Sequence, residues 1–168
     1  MRETPEEVAE LQRLIDRTFA NINRHFAAIV TPQRRLTAQQ VVTHLQGTRI
    51  VAFGTVNAKG EPRVSPLDSL FIHGRFTLST DETATRIGHL RANPACSAVY
   101  METDQMAVVV NGTVEWITRD HPDHDEIHGA WVAQYGSDPY GWGNVVFFQI
   151  QPASMWAYAF KPKDFAND

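Results

Sequence analysis

Apolar side chains recur at three- and four-residue steps at the start of the chain. Val8, Leu11, Leu14, Ile15, Thr18, Phe19, Ile22 and Phe26 make one stripe, the signature of an amphipathic helix. Thr4, Pro5 and Glu7 supply an N-cap, a proline in the first turn and a capping-box glutamate. Pro32 ends or bends this helix. A shorter helix is expected from Leu36-Thr37 through Val41, Val42 and Leu45, stopped at Gly47.

The pattern changes at Arg49. Ile50 to Val56 is a β-rich run, Asn57 to Gly60 a turn, and Pro62 to Ile72 a second extended run made irregular by Pro66. His73-Gly74 is a turn signal and Arg75 to Thr80 a third strand. A helix fits Glu82 to Ala92, ended by Asn93-Pro94. Cys96 to Met101 reads as a fourth strand. Met106 to Ile117 reads as a fifth, with a bulge at Gly112. Residues 120–135 suit a helix anchored by Ile127 and Trp131, and 137–144 a loop. Val145 to Ile150 and Ser154 to Tyr158 predict strands six and seven. The expected fold is mainly β: a six- or seven-stranded antiparallel barrel, which leaves no open sheet edge. Residues 1–48 would form an N-terminal helical extension, and 49–168 the barrel domain.

Composition narrows the function. The 168 residues suit one domain, with 43% hydrophobic and 20% charged residues. A net charge of −4 argues against a nucleic-acid partner, whose phosphates need a basic surface. No apolar run approaches the ~20 residues that span a bilayer, and the charged N-terminus lacks a signal-peptide core, so no membrane partner and a cytoplasmic location are expected. The single cysteine, Cys96, fits a reducing compartment and a buried, inert thiol. Neither a Gly-x-Ser-x-Gly elbow nor a Gly-x-Gly-x-x-Gly dinucleotide loop occurs.

The order of signals from Ile50 to Trp116 resembles the flavin-binding split barrel of the pyridoxamine 5'-phosphate oxidase-like superfamily. The matching features are Phe53-Gly54-Thr55-Val56, Lys59-Gly60-Glu61-Pro62-Arg63-Val64-Ser65-Pro66, and Phe76-Thr77-Leu78-Ser79-Thr80. Arg86 then stands seven residues before Asn93-Pro94, and Asn111-Gly112-Thr113-Val114 follows. The resemblance implies that Val64, Ser65, Pro66 and Leu67 lie along a flavin ring, while Ser79, Thr80, Thr85 and Arg86 bind its phosphate. Hydroxyl donors and a two-pronged guanidinium suit a phosphate, as does the start of a short helix.

The chain departs from the pyridoxamine oxidases proper. Ser65 and Leu70 stand near positions where those enzymes carry arginine and lysine, and Lys161-Pro162-Lys163-Asp164-Phe165 replaces their basic C-terminal segment. The resemblance therefore points away from vitamin B6 oxidation and towards the broader flavin/deazaflavin oxidoreductase branch. It implies FMN first, the deazaflavin coenzyme (F-420) as the alternative, with Arg34, Arg35 and Arg63 as candidates for its acidic tail, and haem last. It also implies a homodimer with shared cofactor sites and a small-molecule substrate that exchanges hydride with the flavin. A non-catalytic FMN- or haem-binding carrier or sensor is the other reading.

Other residues compete for attention. His124 and His128 share a helix face and with Asp125 form a conceivable metal pair, but their order is not His-Glu-x-x-His, and a polar helix face explains them as well. His73 and His89 are conceivable haem ligands, better read as surface residues. Tyr140 and Trp142 are placed to line a pocket for a flat substrate or to cap a flavin.

Overall fold

The computed structural model describes residues 3–165. Six antiparallel strands close into a barrel in the order β1-β2-β3-β6-β5-β4. They are β1 (Arg49–Val56), β2 (Pro62–Ile72), β3 (Arg75–Asp81), β4 (Ala95–Glu102), β5 (Met106–Ile117) and β6 (Val145–Ala159). The α-helices are α1 (Pro5–Ala20), α2 (Arg24–Ile29), α3 (Ala38–His44), α4 (Thr85–Ala92) and α5 (His124–Tyr135). Among the described residues, no helix is long and apolar enough to cross a membrane.

Two expectations need correction. Strands six and seven are one strand, β6, because the break at Pro152-Ala153 is a bulge rather than a turn. The register runs Asn111↔Ser154 and then Gly112↔Pro152, so Ala153 is the extra residue. Gly112 permits this: a Cβ there would collide with the carbonyl of Gln151. The first helix is also two. Asn21 closes α1, and the Asn23 side chain caps α2 by accepting from the Phe26 amide at 2.9 Å. The apolar stripe runs on because both pieces face the barrel, and Phe26 packs edge-on against Trp156.

The lumen is filled by Val51, Phe53, Leu78, Ala98, Val108, Val110, Phe148 and Ile150. Leu11, Ile15, Phe19, Val41 and Leu45 of the N-terminal helices join the same core. A second cluster lies on the barrel's outer face, where Ile127, Ala130 and Trp131 of α5 cover Leu70, Ile72, Ile117 and Phe147. Both α4 and the loop after α5 meet the end of the barrel where β3 stops and β6 starts: the Glu82 amide donates to Asn144 carbonyl at 2.8 Å.

Candidate functional site

Strand alternation divides the sequence-predicted residues. Phe53 points into the lumen and pairs with Ser65, so Ser65 and Leu67 turn inward while Val64 and Pro66 face out. Val64 is 71% exposed. Likewise Leu78 is a core residue, which turns Thr80 to the lumen side and Ser79 to the opposite face.

The structure thus brings together three of the eight candidates. The Arg86 guanidinium donates to Thr80 Oγ1 at 2.6 Å and to Ser65 Oγ at 3.3 Å. Thr85 is exposed in the first turn of α4, and Ser79, Val64, Pro66 and Leu67 lie on neighbouring strand positions outside this cluster. Ala84, the residue before α4, cannot cap the helix beneath Arg86, so its first turn has no side-chain acceptor. Asp81 instead ties down the preceding turn by accepting from the Thr83 amide and hydroxyl, and these bonds hold its carboxyl below the usual range.

Arg86 is half-buried, and among the described residues it pairs with no carboxylate. Five other arginines are used differently. Arg63 pairs with Glu61, Arg75 with Glu115, and Arg91 with Glu82. Arg34 lies over Phe160, and Arg35 over Phe19 at 4.2 Å. These two sit at the barrel end opposite Arg63, so the three do not form one basic groove.

The histidines are also engaged. His73 is not at an open turn tip, because α1 covers it and Glu7 holds its Nδ1 at 2.6 Å. His89 Nδ1 meets Thr55 Oγ1 at 3.0 Å. His124 is buried, with Nδ1 on Asp125 at 2.9 Å and Nε2 on the Tyr140 hydroxyl at 2.8 Å. His128 stacks beside it and meets Asp138 at 2.9 Å. Cys96 is buried, and burial pushes its thiol up to about 12.

Two clefts flank α4. One, about 640 Å³, opens between the β1–β2 turn and α4 and is lined by Asn57, Lys59, Thr85 and His89. The other, about 360 Å³, lies between α4, the end of β5 and the start of β6. Sequence reasoning found Tyr140 for this second cleft but missed Trp116, Arg119 and Phe147. Trp142 does not line it and packs on Tyr135 instead.

The profile of the pyridoxamine 5'-phosphate oxidase family matches residues 37–159. The chain belongs to that family. Solved split barrels of this type resemble it at low identity. A conserved hypothetical protein of Mycobacterium tuberculosis is 15% identical, with a TM-score of 0.66 over 80% of this chain and 92% of that one. A FAD-binding protein of Mesorhizobium loti is 23% identical, with a TM-score of 0.60 over 74% and 94%. The haem storage protein HutZ of Vibrio cholerae is 16% identical, with a TM-score of 0.60 over 71% and 91%. No curated protein matches the sequence. These likenesses carry the barrel to this chain.

Proposed function

We propose that the chain is a flavin-binding oxidoreductase that holds FMN against β2, with the phosphate at Arg86. The observation that carries this reading is Arg86 itself: a half-buried cation supported by two hydroxyls and, among the described residues, paired with no carboxylate. A phosphate dianion fits such a niche, taking two guanidinium bonds and the amides of an uncapped helix start. A flavin supplies hydride transfer to and from an organic substrate. The protein's part is to fix the phosphate through Arg86 and Thr80, and to lay an apolar strand, Val64 and Pro66, against the ring and exclude water from it. FMN ranks ahead of the deazaflavin coenzyme (F-420) because Arg34, Arg35 and Arg63 do not converge on an acidic tail. Haem ranks last, since His73 and His89 both have side-chain partners, although HutZ shows that the fold serves haem storage elsewhere.

A second copy of the chain completes this site. Ile50, Val64 and Met101 are 65%, 71% and 60% exposed on adjoining strands. Ala52, paired with both Pro66 and Val99, joins them into one outward apolar face. Contiguous apolar faces of this kind mark interaction surfaces. Val64 and Pro66 belong both to that face and to the ring-bearing stretch, so a homodimer would cover the flavin from the other side. Work in a reducing cytoplasm accords with the buried Cys96 thiol.

Titration of the purified protein with FMN, followed by flavin fluorescence, tests the assignment. Arg86→Ala is expected to weaken binding by about 1.5–3 kcal/mol, the loss of a charge-assisted bond. Unchanged affinity would remove Arg86 from the site. Val64→Glu puts a charge on the apolar face proposed to meet the second copy. It is expected to give a monomer in light scattering and to lower flavin affinity at least ~10-fold. A monomeric variant with full affinity would separate the flavin site from dimerisation.

A further inference from the structure

The second cleft beside α4 has a chemistry the cofactor niche does not use. The half-buried Trp116, Val145 and Val146 give it an apolar lining, and Arg119 and Tyr140 form its rim. The Arg119 guanidinium lies 4.1 Å over the Tyr140 ring and, among the described residues, makes no direct ion pair, although the Asp138 carboxylate lies near enough to feel its charge. Tyr140 is itself fixed from several directions. Its hydroxyl donates to His124 Nε2, His128 stacks on its ring at 5.1 Å, and its amide donates to Asp138 at 2.9 Å. Asp125 holds the other nitrogen of His124, which sets the imidazole to accept from the phenol. The stack therefore holds in place the ring face on which Arg119 rests. Burial raises the Tyr140 phenol above its ordinary value, so it stays a neutral donor to His124.

A volume of about 360 Å³ is within the range of small-molecule sites. Arg91 also lines the cleft, but Glu82 already neutralises it. We propose that this cleft binds a planar aromatic carboxylate, its ring against the half-buried Trp116 and Val146 and its anionic group on Arg119. Val146, in the cleft wall, is the strand partner of Thr80 in the Arg86 cluster, so such a ligand would sit one strand away from the cofactor niche. The binding claim stands apart from the flavin reading; only its use as the substrate pocket rests on that reading.

Isothermal titration with 2-naphthoate, 2-naphthamide and inorganic phosphate tests it on the full chain. The wild type is expected to bind naphthoate with one site per chain and the neutral amide at least ~10-fold more weakly. Arg119→Gln should lower naphthoate affinity about 10- to 100-fold and leave the amide unchanged, while Arg119→Lys restores part of the difference. Arg119 is exposed on a loop, so neither variant threatens folding. Arg86→Ala should leave naphthoate binding intact, which separates this site from the FMN site. No naphthoate binding, equal binding of acid and amide, phosphate binding that is lost in Arg119→Gln with no preference for a ring, or competition between naphthoate and FMN would each overturn the proposal.

Discussion

Replacing Trp131 by alanine is expected to lower unfolding stability by about 3–5 kcal/mol, the range for deleting a fully buried indole. Trp131 is 1% exposed and central to the outer cluster that fixes α5 to the barrel. It stacks on Tyr135 and meets Phe147 at 6.1 Å. Because that cluster is separate from the lumen, the loss should fall first on α5. Hydrogen exchange should quicken across His124–Tyr135 while β1 and β4 keep their protection. His124 and His128 leave with the helix, so Tyr140 loses its support and the naphthoate site should fail with it. A uniform loss of protection over the whole barrel would mean that α5 is not an independent layer. Chemical denaturation of the two proteins gives the total effect.

Gly112→Ala is the second large effect, about 3 kcal/mol destabilising at the upper end of overpacking costs. The new methyl would run into the Gln151 carbonyl, and backbone atoms cannot swing aside as a side chain can. The register between β5 and β6 would have to shift, and with it the bulge at Ala153. Gly129→Ala is the control. It lies in α5 with open space where its Cβ would stand, and alanine favours the helix by about 0.5–1 kcal/mol. A Gly112→Ala protein as stable as the wild type would contradict the bulge geometry.

The sequence was most informative where local chemistry and tertiary structure agree. The Thr4 capping box and the β1–β2 turn read correctly because each depends on near neighbours. Reading went astray where a distant partner decides. Pro152 looks like a strand end, yet Gly112 on the facing strand absorbs the irregularity and β6 continues. His73 looks like an open turn, yet α1 folds over it and Glu7 claims it. Ser79 and Thr80 looked like equivalent phosphate donors, but period-two alternation sends their hydroxyls to opposite faces and only Thr80 reaches Arg86. The Arg119–Tyr140–His124 stack was invisible for the same reason: its members lie on a loop, a short turn and a helix that meet only once α5 has docked.

A crystal structure of the protein soaked or grown with FMN puts the main claim to its most direct test. It should show the phosphate within hydrogen-bond reach of the Arg86 guanidinium and the Thr80 hydroxyl, with the tricyclic ring flat along Val64–Leu67 and a second chain closing over it. A phosphate bound elsewhere, with Arg86 still held only by Thr80 and Ser65, would contradict the account.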